Sequence, residues 1–174
     1  MAEEFLDVVN EYNQVIGQES RCTVHGSGLW HRGVHVFLFT PDRRLLVQRR
    51  SDAQDTYPGA LDCSVSEHLK VGESYRDGAI RGLREELRIE QVRLTRLLQL
   101  KMNYGPGDNM INGLYEGVYE GEPPAIDWHE IQQVAYHTIH ELEGIVVSGQ
   151  ATVTPWFVQL LRWYTGKPVD MQVL

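Results

Sequence analysis

Two adjacent acids, Glu85 and Glu86, are the residues of this chain best suited to hold a divalent cation. They lie near the end of a predicted helix, where the negative end of the helix dipole opposes acidic side chains. The two carboxylates also repel each other, and a bound cation would relieve both penalties. The alternative interpretation is a solvated charged face, in which Arg81 pairs with Asp77 and Glu85 at helical spacing.

The helix that positions these acids is predicted to begin after Ser74 and to run to about Leu87. Ser74 is a favourable N-cap, and Asp77 three residues later is an acidic partner for the amides of the first turn. A turn at residues 71–73 precedes the cap. Apolar residues recur at 3.6-residue spacing and predict a buried stripe of Ala79, Ile80, Leu83 and Leu87.

Gly78 and Gly82 interrupt this helix on one face. Each glycine inside a helix costs roughly 1 kcal/mol relative to alanine, so their presence needs a compensating reason. We expect a neighbouring segment to pack closely against the helix backbone there. A ligand that approaches the backbone is the alternative.

Residues 67–89 resemble the Nudix box, G-x5-E-x7-R-E-U-x-E-E-x-G-U, where U is aliphatic. The positions in register with the box are Glu73, Arg81, Leu83, Glu85, Glu86 and Ile89. Three positions depart from it: Glu67 replaces the opening Gly, Gly82 replaces the Glu after the Arg, and Arg88 replaces the late Gly.

The resemblance implies that Glu85 and Glu86 are catalytic residues that bind Mg²⁺ or Mn²⁺ and place water for attack at phosphorus. It also implies that Glu73 supports Arg81, which would fix the helix against the preceding turn. Gly82 removes a carboxylate that often binds metal or orients water in the family. Glu67 is the candidate replacement ligand.

Beyond the box, the chain is similar to the isopentenyl-diphosphate-isomerase-like branch of the Nudix superfamily, which holds isomerases and presumed diphosphate hydrolases. The segments that carry this similarity are 6–10, 31–39, 46–50, 57–59 and 154–157. It implies an alternative metal site at His25, His31 and His68, because three imidazoles with an acid suit zinc. Taken singly, each of these histidines is more typical of a surface or capping residue.

In this comparison, the chain lacks both residues that transfer protons in the isomerases. Ser66 stands where the isomerases have a cysteine, and a hydroxyl is a far weaker acid than a thiol. The acidic partner falls at about Gly113, while Glu116 is three residues along and should point to the other face of its strand.

Four further residues are candidates for substrate binding. Arg49 and Arg50 leave one strand on opposite faces, so one of them would reach a diphosphate, for which a guanidinium fork is well suited. Their alternative role is a solubilising strand end. Tyr104 and Trp156 match aromatic residues of the isomerase pocket, where a π-face stabilises positive charge. Both are also consistent with ordinary core packing.

Length and composition limit the number of domains and the classes of protein to which the chain can belong. The chain has 174 residues, 42% of them hydrophobic, which predicts one domain over residues 1–174. A net charge of −8 argues against nucleic-acid and membrane-surface binding. No apolar stretch approaches the length of a transmembrane helix, and the acidic N-terminus does not resemble a signal peptide. The two cysteines, Cys22 and Cys63, indicate a reducing cytoplasm. Nothing in the sequence indicates an oligomeric state.

The order of predicted elements gives the fold class α+β. Strands are predicted at residues 5–10, 14–18, 34–39, 45–48, 61–65, 92–102, 111–119 and 134–137. Besides the helix after Ser74, capped helices are predicted from Thr138 and from Thr154. Loops are predicted at residues 26–28, 104–107 and 121–124. The resemblance implies a Nudix fold, in which a mixed β-sheet is sandwiched between helices.

Three functions are compatible with these residues. The first is a Nudix hydrolase that cleaves a nucleoside- or prenyl-diphosphate-like small molecule with a divalent metal. The second is an enzyme similar to isopentenyl-diphosphate isomerase. The third is a catalytically silent Nudix-fold protein that binds a ligand or a partner, which the departures at Glu67, Gly82 and Gly113 favour.

Overall fold

A computed structural model describes residues 3–105, 107–122 and 124–174 of the chain. Four helices lie in these ranges: α1 (Arg21–Ser27), α2 (Tyr75–Leu87), α3 (Ile139–Ser148) and α4 (Pro155–Tyr164). Across the described residues, no helix is both long and apolar enough to cross a membrane. The strands are β1 (Phe5–Val9), β2 (Val15–Ser20), β3 (His31–Phe39), β4 (Leu45–Arg50), β5 (Leu61–Asp62), β6 (Val65–His68), β7 (Leu94–Asn103), β8 (Asn109–Val118), β9 (Ile131–His137) and β10 (Gln172–Val173).

Strand β3 is the centre of one mixed sheet, whose main path runs β10-β7-β8-β3-β1-β2. On one side β3 is parallel to β8, with His31 opposite Met110 and Phe39 opposite Val118. On the other side it is antiparallel to β6, with Gly33 opposite His68. Strand β4 continues the sheet from the end of β3 and pairs with β5 and β9.

The sheet has a hydrophobic core on each face. Helices α3 and α4 cover the first face, where Phe37 of β3 packs near Phe157. Helix α2 covers the second face, where Leu83 packs with Val34 and Val36 of β3. Full burial of a leucine or phenylalanine side chain contributes about 1.5–3 kcal/mol, so both helices are firmly attached. The predicted α+β class, with a mixed sheet between helices, is therefore confirmed.

Helix α2 begins and ends near its predicted limits. The hydroxyl of Ser74 accepts a hydrogen bond from the Asp77 amide, and Arg88, the C-cap residue after Leu87, has a left-handed φ of 56°. The predicted buried stripe was wrong at Ile80, whose exposed fraction is 36%. The helix is rotated because Gly78 and Gly82, both buried, face the sheet instead.

Some local predictions were wrong. Residues predicted as a loop at 26–28 include the end of α1, which Ser20 caps by accepting from Thr23 and which Gly28 closes with a φ of 62°. The strand predicted at 61–65 is two strands, β5 and β6. Thr154 precedes α4 as expected, yet its side chain makes no capping bond and donates to Asp62 instead.

Two further sets of predictions concern the start of α3 and two loops. Thr138 and Glu141 form a complete capping box at the start of α3. The predicted loops at 104–107 and 121–124 contain Pro106 and Pro123, which lie outside the described residues.

Candidate metal centre and active site

Three histidines and one aspartate meet at the end of β6. His25 comes from α1, His31 from the start of β3, His68 from the end of β6, and Asp108 from the residues just before β8. The centroids of the three imidazole rings lie 4.9–5.2 Å apart. One potential ligand atom from each of the four residues lies within 4.8 Å of all the others.

The hydrogen bonds of this histidine centre leave several polar atoms free. The ring Nδ1 of His31 lies 3.1 Å from the Leu29 carbonyl oxygen and donates to it, so its Nε2 carries a lone pair. Among the described residues, His25 Nε2, His31 Nε2 and Asp108 Oδ1 are buried without a hydrogen-bond partner. Buried polar atoms normally have partners, and a shared cation would supply one here.

Burial also sets the protonation of the histidine centre. It lowers the pKa of His31 to about 4 and the pKa of His68 well below its ordinary value. Both imidazoles are therefore neutral at pH 7, which is the form that binds metal. Desolvation raises the pKa of Asp108, and His25 opposes that rise. Three imidazole nitrogens and one carboxylate fit zinc or a similar divalent ion.

The acidic residues of the box lie on the other face of β6, under α2. Glu86 is buried, and its Oε2 accepts a hydrogen bond of 3.0 Å from Gln48. Desolvation raises the pKa of Glu86 well above its ordinary value, and the charges of Glu67 and Glu130 add to the rise. A buried carboxylate with negative neighbours is an unfavourable arrangement that a divalent cation would stabilise.

Arg81 joins most of the other acids to β6. Its guanidinium donates to both carboxylate oxygens of Glu73, at 2.8 and 3.0 Å, and to the His68 carbonyl oxygen at 2.8 Å. It also contacts Glu67 at 3.2 Å and Glu85 at 3.1 Å. The contact between Glu73 and Arg81 that the resemblance implies is therefore present.

Glu85 and Glu86 point in different directions. The Glu85 side chain is 43% exposed and pairs with Arg81 and, at 3.7 Å, with Lys70. Its charge is thus already compensated within the chain, as in the alternative interpretation of a solvated helix face. Glu86 has no such basic partner among its described hydrogen bonds and ion pairs. Of the two predicted ligands, Glu86 has the greater need for a cation.

The glycines of α2 explain how Glu67 reaches this region. A Cβ at Gly78 would overlap Leu69, and one at Gly82 would overlap Val65 and come within 2.9 Å of Glu67 Cγ. The segment that packs closely on the helix is therefore β6 and the residue after it. Glu67 occupies the space beside position 82, where the box has a glutamate.

The two predicted metal sites are separated by the alternation of side chains along β6. Glu67 faces α2 together with Val65, which belongs to the core under that helix. His68 and Ser66 face the other way, toward His31 and His35. Consecutive strand residues point to opposite faces, so one short strand contributes to both sites.

Gly113 does not occupy the place of the missing acid, and that prediction is corrected. A Cβ on Gly113 would meet Tyr75 of α2 at 3.1 Å, on the face opposite the histidines. The carboxylate beside the histidines comes from Asp108 instead, at 3.6 Å from His25. Glu116 accepts a hydrogen bond from Tyr164 of α4, so it lies on the face opposite Gly113, as expected.

The predicted substrate arginines are both engaged with the chain. Arg49 donates to the Gly59 carbonyl oxygen at 2.8 Å. Arg50 donates to the carboxylate of Asp62 at 3.1 Å, and its guanidinium lies 5.7 Å from the ring centroid of Trp156. Arg50 is thus the arginine that reaches Trp156, which together with Tyr104 forms an aromatic wall.

Tyr104 and Trp156 form that wall. Their ring centroids are 5.3 Å apart, and both side chains are largely buried. The imidazole of His35 stacks at 6.5 Å from Trp156, and Tyr57 contacts the same indole edge-on. The structure therefore brings the two predicted aromatics together, next to residues that the sequence did not single out.

The sequence interpretation missed Asp108, Gln48, His35 and Asp62. Asp108 had one available signal, because it is the only acid between residues 91 and 115 and it stands just before a predicted strand. The other three lie inside or beside strands and look like ordinary half-buried polar residues. Only strand pairing brings them to the site.

The fold agrees with the comparisons. A NUDIX domain model matches residues 29–157, which is most of the chain. The chain therefore belongs to the Nudix family.

Particular relatives include both hydrolases and an isomerase. An uncharacterized Nudix hydrolase of Clostridium acetobutylicum is 41% identical over 93 residues, 52% of this chain and 45% of the relative, so the match spans about half of that protein. Isopentenyl-diphosphate Delta-isomerase of Serratia proteamaculans is 28% identical over 171 residues, 92% and 90% of the two chains. The crystal structure of DR0079 from Deinococcus radiodurans superimposes with a TM-score of 0.78 at 25% identity, covering 92% of this chain and 98% of that one.

Proposed function

We propose that this protein is a metal-dependent Nudix hydrolase that cleaves the diphosphate linkage of a nucleoside- or prenyl-diphosphate-like small molecule. The observation that carries the proposal is the buried Glu86 carboxylate, which has Gln48 as its hydrogen-bond donor and acids as its neighbours. That arrangement is unfavourable in a purely structural helix and suits a group that binds a cation and accepts a proton.

Glu86, Glu67 and Glu85 are the residues that would hold Mg²⁺ or Mn²⁺ on the α2 face. His25, His31, His68 and Asp108 would hold a second ion, for which zinc is suitable. When bound, a divalent ion neutralises the diphosphate and lowers the pKa of a water ligand.

The chain's own side chains supply orientation and proton transfer. Gln48 fixes Glu86 by bonding its Oε2, which leaves Oε1 to accept a proton from the attacking water. Arg81 keeps α2 and β6 in register through Glu73 and the His68 carbonyl oxygen.

The proposal is tested by measuring phosphate or pyrophosphate release from a panel of nucleoside and prenyl diphosphates with Mg²⁺, Mn²⁺ and Zn²⁺. We expect release with at least one ion, and Glu86→Gln should lower kcat by 100-fold or more, on the order expected for a catalytic base. Glu116→Gln is the matched control, because Glu116 lies on the opposite face of the sheet. Diphosphate binding by calorimetry without turnover would identify a silent binding protein and overturn the proposal.

A second candidate is isomerisation of a prenyl diphosphate. The histidine centre and the similarity to the Serratia proteamaculans isomerase favour it. Ser66 opposes it, because its hydroxyl is held between Asp62 and His35 and is a weak acid. Solvent deuterium uptake into isopentenyl diphosphate, with zinc and magnesium supplied, would support isomerisation, and no uptake would exclude it.

We also propose that residues 1–174 form a single Nudix domain located in the cytoplasm. Both cysteines are free, which is typical of a reducing compartment. One cooperative unfolding transition and recovery in the cytosolic fraction are the expected results. Two separate transitions, or recovery with secreted proteins, would contradict these assignments.

A further inference from the structure

The hairpin of β1 and β2 ends the sheet with an edge that has little protection. Strand β2 is last on the main path of the sheet, and among the described residues it pairs with β1 alone. An open edge is a template for another strand, which proteins block with lysine, proline or bulges. The segment Val15–Ser20 contains no lysine or proline, and one bulge lies at Ile16, which has no partner in β1.

The same edge exposes apolar side chains. Val15 and Ile16 are 47% and 66% exposed, and Tyr12 in the connecting turn is 75% exposed. Single exposed apolar residues are common, but several together at one open edge indicate an interaction surface. Glu19 is the only charged residue within β2. The edge therefore suits a strand that, like β2 itself, carries few charges.

The hairpin is held firmly against the rest of the domain. The Gly72 amide donates to the carboxylate of Asp7 at 2.9 Å. The Arg32 guanidinium donates to the side-chain oxygen of Asn13 at 2.8 Å and to its carbonyl oxygen at 2.6 Å. Because the strand is already ordered, little conformational entropy is lost when a second strand pairs with it.

The hydrogen bonds of the hairpin determine which backbone groups face outward. The Arg21 amide donates to the Glu4 carbonyl oxygen at 2.8 Å, and Leu6 stands opposite Glu19. In an antiparallel pair, residues that bond to the neighbouring strand alternate with residues that do not. Glu19 and Arg21 therefore bond to β1, and Gln18 between Gly17 and Glu19 directs its N–H and C=O to the open edge.

This alternation and the charge of Glu19 leave one favourable register for two copies of β2. Gln18 must pair with an outward-facing residue of the second copy, which is residue 16, 18 or 20. Pairing with Ser20 would place Glu19 directly opposite Glu19 of the second copy, and like charges in that position are destabilising. Pairing with Ile16 would centre the contact on the bulge. Pairing Gln18 with itself avoids both, because Gly17 then lies opposite Glu19.

We propose that β2 is the interface between two copies of this chain, which form an antiparallel dimer with Gln18 on the two-fold axis. The main paths of the two sheets then join into one continuous sheet. Such an interface uses the same surface on both copies, so the assembly closes at two. This inference is independent of the proposed hydrolase function.

The first test measures mass against concentration. Sedimentation equilibrium of the full chain should show a reversible change from the 20.0 kDa monomer to twice that mass. The change should fall between about 1 and 100 μM, because a small interface has modest affinity. Amide exchange of Gln18 should be slower in the dimer, whereas amides of α4 should be unchanged. A monomer at every concentration, or a dimer that leaves the Gln18 amide unprotected, would overturn the proposal.

The second test reads the register through Gly17, where an added Cβ has nothing within 4 Å. Gly17→Lys places a positive charge opposite Glu19 of the second copy, and Gly17→Glu places a negative one there. Since the two-fold axis repeats each contact, the dimer dissociation constant should fall about tenfold in Gly17→Lys and rise about tenfold in Gly17→Glu.

Val147 supplies the control for net charge, because its side chain on α3 is 83% exposed and far along the chain from β2. Val147→Lys and Val147→Glu should have nearly equal dissociation constants. Circular dichroism checks that all four variants fold. If the two Gly17 variants differ no more than the two Val147 variants, or if Gly17→Glu dimerises more tightly than Gly17→Lys, the proposed interface is wrong.

Discussion

The two faces of β6 differ in how they compensate buried polar groups. Toward α2, Glu67 shares the guanidinium of Arg81 with Glu73 and Glu85, so three of the four acids there have a basic partner. Toward α1, the histidine centre has no guanidinium bridge, and three of its polar atoms lack partners among the described residues. Most carboxylates of the acidic face therefore have a basic partner, whereas the described polar atoms of the histidine face lack one.

This contrast bears on where a cation is needed. A buried charge that already has a partner gains little from a metal, whereas unsatisfied buried atoms gain a great deal. The histidine centre therefore has the stronger demand for an ion, and on the α2 face that demand is confined to Glu86. Glu85 and Glu86 are adjacent in the sequence and together suggest a metal site. In the folded protein they differ, because Glu85 is partly exposed and paired with basic side chains, whereas Glu86 is buried.

The largest effect is expected from removing the guanidinium that neutralises the acidic face. Arg81→Ala leaves three carboxylates near one another and should lower the free energy of unfolding by about 3–5 kcal/mol, as for other broken buried ion pairs. Urea unfolding measures this change. Arg84→Ala is the control, since Arg84 is exposed on the same helix and should change stability by less than about 0.5 kcal/mol. Equal effects would show that the acidic face does not depend on Arg81.

Removing one imidazole should break the histidine face selectively. His68→Ala should weaken Zn²⁺ binding by about 100-fold, because altering even the groups behind metal ligands costs 10–100-fold. Titration calorimetry gives the affinity. His140→Ala, an exposed histidine on α3, should leave it unchanged. Loss of zinc binding in Glu86→Ala but not in His68→Ala would place the ion on the α2 face instead.

The close contact between α2 and β6 is tested at a glycine. Gly82→Ala places a methyl group against Val65 and Glu67 and should cost about 1–3 kcal/mol of stability through overpacking. Gly144→Ala in α3 is matched to it, since nothing lies within 4 Å of the added carbon. That variant should gain up to about 1 kcal/mol from helix propensity. Thermal unfolding that ranks the two variants in the opposite order would contradict the packing.

The pH dependence of stability distinguishes the contribution of His35 from the contributions of the acidic residues. Its folded pKa is about 3, below the ordinary 6.5, because burial disfavours the charged ring. The unfolded chain therefore binds more protons between these values, and the folded state loses stability as pH falls from 6.5 toward 3. Between these two values, His35 should lower the free energy of unfolding by about 1.4 kcal/mol for each pH unit that the pH falls. Urea unfolding of metal-free protein between pH 4 and 6 should show a slope smaller by one proton in His35→Gln. Equal slopes would mean that His35 is not buried neutral.

The smallest effect concerns the position after α2. Arg88 adopts a φ of 56°, a left-handed conformation in which glycine avoids the steric cost of a side chain. Arg88→Gly should therefore raise the free energy of unfolding by about 1 kcal/mol. Arg84→Gly, within the helix, should lower it by a similar amount. If both substitutions destabilise the protein, the left-handed cap is not strained.

The box itself was the part of the site easiest to predict from sequence. The cap at Ser74 and the close packing at Gly78 and Gly82 follow from local spacing, the partnership of Glu73 with Arg81 follows from the resemblance to the box, and each is present. The prediction for Gly113 failed because its face depends on the register between β3 and β8. That register is set by contacts about 80 residues apart in the chain.

The sequence by itself determined the α+β class, helix α2 with its cap, and the presence of acids and histidines suited to metal. Periodicity, caps and turns act over a few neighbouring residues, and the sequence displays them directly. Tertiary structure alone decided that Asp108 joins three histidines from separate segments, and that Glu86 is buried beside Gln48 without a basic partner among the described residues. Distances between such groups depend on strand pairing and burial, because the energy of a charge is set by whatever the whole fold places beside it.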